Sequence, residues 1–289
     1  MIVRISRRVA WIVTLWLLAG FLGAVLVWMA PGFGIDERVL DPRWTKDSSV
    51  ALRGDEQARL GPVSFYIDWL EHFARGDLGE SNSLGRPVAD LLRERLPITL
   101  RSAAAGLALG WAAGLILAVA TYFIKLPGFD WLTAAVAGIL LSLPSAVIAV
   151  LFVMLDAPVS WAIAAVIVPQ VFSYARNLCN RAMCRTHVLM AAAKGVGSAR
   201  IFFWHVLSTI GPQLLALAGV SVTLAFTAAI PIEVICDSPG VGQLAWLAAM
   251  ARDLPLLVNI TLIVTGITLT ANSISDWATS ASGIEGATR

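Results

Sequence analysis

Between Arg176 and Arg200 the chain carries five Lys/Arg and no acid, and long apolar segments lie on both sides. Cations grouped this way sit on the cytoplasmic side of a membrane protein, where a membrane subunit meets a soluble partner. The centre of the stretch reads Ala191-Ala192-Ala193-Lys194-Gly195. Small helix formers, then a cation, then the residue type that ends a helix with positive φ make a short, hard helical knob with little side-chain bulk. Such a knob can seat in a groove on another protein and transmit its motion. Arg200 and His205 follow. A catalytic or metal-ligating role for His205 is rejected, because His72 and His187 offer no ligand spacing and the loop holds no carboxylate; a satisfied interfacial histidine is expected instead. Further along stand Glu233, then Ser238-Pro239-Gly240-Val241-Gly242, then Arg252-Asp253. An acid at the end of an apolar run is either a snorkelling interface residue or the lining of a polar path through the membrane. Pro-Gly-x-Gly reads as a turn that glycine completes, in a re-entrant or external loop.

The elements that hold these residues must lie in lipid. Apolar residues make up 58% of the 289 residues and charged ones 14%, and mean hydropathy is +0.77, which leaves too little polar surface to coat a soluble globule. Of the 40 charges, 21 fall between Asp36 and Arg95, the pattern of a membrane protein with one sizeable aqueous loop. The three cysteines, Cys179, Cys184 and Cys236, make no disulfide framework and read as free thiols. Nothing in the charge pattern points to nucleic acid. No Gly-x-x-x-x-Gly-Lys-Ser/Thr run occurs, so the chain is not expected to cradle ATP or another cofactor itself, and energy must come from a partner or a gradient.

Six segments are long enough to cross a hydrocarbon core: about 9–29, 102–124, 131–155, 157–175, 210–232 and 254–275. The expected fold class is an all-α membrane protein of six transmembrane helices. Arg4, Arg7 and Arg8 place the N-terminus in the cytoplasm, and four crossings later the basic stretch falls inside as well. The uncharged run from Val9 to Met29 exceeds the apolar core of a signal peptide and reads as a retained span. The expected layout is a first helix in 1–29, an external insertion in 30–97, and a transmembrane domain in 98–289 with a cytoplasmic coupling loop at 176–209 between helices 4 and 5. Inside the insertion, Phe65, Trp69 and Phe73 at four-residue spacing suggest a short amphipathic helix. Val88, Leu91, Leu92 and Leu96 suggest a second, with Pro87 as its start and Pro97 as its stop. Gly106, Gly110 and Gly114 form a small-residue stripe on the second span, a face for close helix packing. Ser142-Leu143-Pro144-Ser145 and Pro169 free carbonyls within the membrane.

Several of these runs recur together elsewhere. Arg75-Gly76-Asp77-Leu78-Gly79-Glu80-Ser81, Gly85-Arg86-Pro87-Val88 and Glu94-Arg95-Leu96-Pro97 precede the second span. Lys194-Gly195, Arg200-Ile201 and His205-Val206-Leu207 occupy the basic region, and Pro239-Gly240-Val241-Gly242, Ala251-Arg252-Asp253-Leu254-Pro255, Asn272 and Asp276 follow Glu233. In order and spacing the chain resembles the permease subunits of ABC importers of the dipeptide/oligopeptide/nickel type. It departs from their pattern at Leu189, Ala192 and Ser208, at Cys236 where an aromatic is usual, and in lacking the acid of the coupling motif. The resemblance implies a permease of the bacterial cytoplasmic membrane for peptides or nickel chelates. It implies a homologous permease subunit, two cytoplasmic ATPase subunits and an external substrate-binding protein as partners, and the lipid bilayer as surroundings. It implies ATPase coupling through Ala191, Ala192, Ala193, Lys194, Gly195, Arg200 and His205. Glu233, Pro239, Gly240, Gly242, Arg252 and Asp253 are the implied path or gate. A stand-alone secondary transporter or channel is the alternative, but the spans hold almost no ionisable residues and show no inverted repeat. A non-transporting membrane scaffold, which would need no coupling motif, is a further one.

Overall fold

A computed structural model describes residues 2–29, 62–124 and 128–281. The described residues are helical, with one isolated antiparallel bridge between Glu80 and Pro87. In chain order the helices are α1 (Ile2–Met29), α2 (Pro62–Ala74), α3 (Val88–Phe123), α4 (Phe129–Ser142), α5 (Ser145–Met154), α6 (Val159–Met183), α7 (Thr186–Ala193) and α8 (Ser198–Ile201). A π-helical turn (Phe202–Val206), α9 (Leu207–Ile235), α10 (Val241–Met250) and α11 (Leu254–Ala281) follow. Two compact units divide the chain: residues 1–99 with 239–269, and residues 100–238 with 270–289.

In the first unit the amphipathic helix expected near Val63–Phe73 forms as α2. It buries Tyr66 and Trp69 against Trp16 and Phe21 of α1 and against Leu254, Val258 and Leu262 of α11. Polar atoms fix the register: the Tyr66 hydroxyl donates to the Leu17 carbonyl at 2.7 Å and the Trp16 indole to the Leu262 carbonyl at 2.6 Å. A second cluster packs Val88, Leu91 and Leu92 of α3 on Val241, Leu244 and Ala248 of α10 and on Leu256 and Ile260 of α11. The apolar face read from Val88, Leu91 and Leu92 is therefore the buried one. The stop expected at Pro97 is not: α3 runs through it to Phe123. The ring costs one backbone bond, to the Arg93 carbonyl, while the packed turns before it and the long apolar run after it keep the helix going.

In the second unit α6 is the central helix, with Ala162, Ile163, Ile167 and Val171 fully enclosed. Ala149 of α5 and Ala225, Ala229 and Ile232 of α9 complete its core. Among the described residues, four helical stretches are long and apolar enough to cross a bilayer: Val88–Phe123, Val159–Met183, Ser198–Ile235 and Leu254–Thr279. A fifth exists if α4 and α5 count as one span. Four of the six expected spans lie in those stretches and the first lies in α1. The third, expected as one segment over 131–155, is instead two helices meeting at 99°. Its cause is local: Pro144 bars the helical conformation at the preceding residue, and Leu143 is extended at φ −78°, ψ 129°. The basic connection is also shorter than 176–209, because α6 continues to Met183 and the next long helical stretch starts at Ser198.

Candidate functional site

The basic connection folds as a compact corner. Arg176 stays on α6, and its guanidinium makes a two-pronged ion pair with Asp130 in the first turn of α4, Nε to Oδ1 at 2.6 Å and Nη2 to Oδ2. After Cys184 the chain turns into α7, eight residues long. Val188 and Ala191 of α7 face inward, onto a cluster with Cys179, Ala182, Ile201, Phe202, Val206 and Ile210. Ala192, Ala193 and Lys194 face out, and Leu189 and Met190 are more than half exposed. The knob is thus less bare than its alanines suggest.

Gly195 ends α7 with φ +80°. Its N–H donates to the Ala192 carbonyl at 3.0 Å, and the Val196 N–H to the Ala191 carbonyl at 3.2 Å. This paired closure is the Schellman arrangement, which needs the left-handed conformation that glycine adopts without strain. The half-buried Val196 packs into the same cluster as Ala191, so the cap also docks the turn. Arg200 is exposed on α8. His205 sits half-buried in the π turn, but its Nδ1 is enclosed without a hydrogen-bond partner, unlike the satisfied histidine expected. The neighbouring hydroxyls are spent on main-chain carbonyls: Ser208 donates to Trp204 O at 2.8 Å and Thr209 to His205 O at 2.6 Å.

At the other end of α9, Glu233 is fully buried. The helix closes just beyond it with Asp237 at φ +48°, the Ser238 N–H donating to the Glu233 carbonyl at 2.9 Å. The left-handed residue of this turn is therefore an aspartate. Gly240 is extended at φ −97°, ψ −174°, so the Pro-Gly-x-Gly turn does not use glycine's dihedral freedom as expected. Gly240 and Gly242 are both buried, with Pro239 exposed beside them.

In the first unit α10 begins with the Val241 N–H donating to Thr99 Oγ1 at 2.8 Å. Asp253, fully buried, precedes α11. Its Oδ1 accepts the Leu256 N–H at 3.2 Å, an N-cap bond. Its Oδ2 accepts the Ser81 hydroxyl at 2.5 Å, the Ser83 N–H at 2.9 Å and the Ser83 hydroxyl at 2.8 Å. Asn259, one turn into α11, donates to the Leu78 carbonyl at 3.0 Å. The Arg75–Ser81 and Ala251–Pro255 runs, far apart in sequence, meet at this carboxylate, a junction that sequence reading missed. Arg252, beside it, is left-handed at φ +54°. In the second unit the glycine stripe lies against α6: a Cβ on Gly106, Gly110 or Gly114 would stand 2.7, 2.8 or 2.9 Å from the side chains of Ile163, Ile167 and Val171. Among the described residues no group of three His, Cys, Asp or Glu is placed to hold a metal ion.

Residues 127–282, more than half of the chain and including α7, its cap and Glu233, match the binding-protein-dependent transport system inner membrane component family. The chain belongs to that family. This inner membrane component is 25% identical over 287 residues to a putative peptide transport system permease protein of Brucella suis, with 88% of each chain covered. It is 24% identical to a probable peptide ABC transporter permease protein of Sinorhizobium fredii, with 96% of each covered. To the oligopeptide transport system permease protein OppB of Salmonella typhimurium it is 27% identical, over 69% of this chain and 72% of OppB. With its several apolar helices it is a multi-pass protein of the bacterial inner membrane. Membership implies a partner ATPase and a substrate-binding protein.

Proposed function

We propose that this inner membrane component is the permease subunit of an ATP-driven importer of peptides. It forms half of the translocation path with a homologous permease subunit and receives the ATPase stroke on α7. The peptide cargo follows from the similarity to peptide permeases over most of the chain. Six spans with the N-terminus inside bring 184–197 to the cytoplasm and 62–87 outside. Exposed tryptophans near helix ends support the membrane placement: Trp131, Trp161, Trp204 and Trp277 are each more than half exposed, as in an interfacial aromatic belt.

The observation that carries the reading is the build of α7. It is short, closed by a Schellman cap, anchored through Val188 and Ala191, and outward-facing elsewhere. Force on such a piece moves the attached helices as a body. Glu233, enclosed at the outer end of α9, is one ionisable group of the proposed path or gate. Two paired ATPase subunits hydrolyse ATP, and the external binding protein delivers the peptide.

Reconstitution of the full importer tests this. Gly195→Val opposes the positive φ of the cap with a β-branched side chain, and Ala192→Glu puts a bulky anion on the exposed face. Both should assemble in the membrane while peptide uptake and peptide-stimulated ATP hydrolysis fall at least tenfold. Wild-type values of both in either variant would reduce α7 to a connector.

A further inference from the structure

Four cations around the basic corner, Arg181, Arg185, Lys194 and Arg200, are exposed and make no ion pair among the described residues. Arg176 differs, being neutralised by Asp130. Next to Arg200 the π turn buries Phe202 and Val206 and turns Phe203 and Trp204 outward, 58% and 76% exposed. Leu207 follows at 39%. Arg200, Trp204 and Leu207 follow one another along the continuous helical run Ser198–Ile235, and all three are exposed. Over about 10 Å of helix axis the exposed side chains pass from cation to aromatic to aliphatic. The inner leaflet passes through the same sequence from phosphate to interface to acyl chain. A soluble partner could meet Arg200 but would leave Leu207, which leads into the membrane stretch, to the lipid.

We propose that the Arg200–Trp204–Leu207 face is a binding site for an acidic phospholipid of the inner leaflet. Arg200 holds the headgroup phosphate, Phe203 and Trp204 sit at the glycerol level, and Arg181 and Arg185 supply the surrounding positive field. The site lies beyond the coupling role proposed for α7, although it rests on the same placement of 184–197 inside. Its occupant would brace the start of α9, the helix that α7 must move.

Native mass spectrometry of the full chain, released from nanodiscs of phosphatidylcholine with or without phosphatidylglycerol, tests the assignment. The wild type should retain phosphatidylglycerol in preference to phosphatidylcholine. Arg200→Gln should weaken that retention about fivefold, the effect of one interfacial cation. Arg200→Gln with Trp204→Ala should abolish it, while Arg200→Lys should largely preserve it and Arg75→Gln, in the external segment, should leave it unchanged. Far-UV circular dichroism equal to wild type establishes that the double variant is folded. If it unfolds, Arg200→Gln against Arg200→Lys decides alone. Equal retention of the two lipids by the wild type would overturn the proposal. So would undiminished phosphatidylglycerol retention in the folded double variant; if that variant, co-expressed with the ATPase, also fails to co-purify it, the face belongs to the ATPase. Because lipid retention needs no transport, failure here leaves the importer reading standing, and failure of the uptake assay leaves this one standing.

Discussion

Asp253 is tied closely to its surroundings in the first unit. Its carboxylate accepts directly from two hydroxyls and two main-chain N–H groups. Asp253→Ala would leave Ser81 and Ser83 facing an apolar methyl and remove the N-cap of α11. The expected loss is about 2–4 kcal/mol, read as a lower melting temperature in detergent and faster proteolysis between residues 79 and 87. Ser81→Ala, which removes one donor, should cost roughly 1 kcal/mol. The glycines make the opposite kind of claim, about room rather than polarity. Gly110→Leu must push into Ile167 and towards the Ala164 carbonyl, at about 3 kcal/mol or more. Gly138→Ala, mid-helix in open space, should be neutral or slightly stabilising, so the pair separates packing from helix propensity in one thermal-shift experiment. The close-packing face was legible from the four-residue spacing, because spacing fixes which residues share a helix side. That α6 fills it was not, because spacing carries no information about the partner. The bonds that hold Asp253 were not legible for a similar reason: the serines that donate to it lie 170 and 172 residues away.

Among the elements, α2 and the buried face of α3 follow from apolar periodicity, and the end of α7 follows from the glycine after Lys194. The errors cluster at proline. Pro97 reads as a stop, where packing carries the helix through, and 131–155 reads as one span, where the helix breaks outright at Pro144. Proline sets only the local backbone, and the neighbours decide whether a helix resumes. If the ring at position 97 is only tolerated, Pro97→Ala should restore the bond to the Arg93 carbonyl and raise stability by about 1 kcal/mol. A drop in melting temperature would show that the break in the hydrogen-bond ladder is needed. The π turn had no signature in the sequence, since its wide hydrogen-bond spacing leaves no fixed residue pattern.

For the molecule as a whole, family and membrane placement were carried by short runs spread along most of the chain, which is why they could be read before any contact was known. The orientation is open to direct measurement. Cys184 is an exposed thiol in the basic corner, and Ser64 is exposed on α2. In intact cells carrying Cys236→Ala, a membrane-impermeant maleimide should label Ser64→Cys and spare Cys184 until the membrane is opened. Labelling of Cys184 in sealed cells would reverse the orientation.

The break between α4 and α5 bears on how the protein reaches the membrane. Residues 129–154 hold a single charged side chain, Asp130, and form one apolar stretch of the length that insertion machinery accepts as a single span. Neither helix alone, at 14 and 10 residues, reaches across about 30 Å of hydrocarbon. The stretch would therefore be admitted as one segment and take its 99° bend only afterwards, once α6 and α9 are present to receive Ala149 and Ala137. On this account the order of synthesis is part of the fold, since the helices that hold the bend are made after the segment they hold.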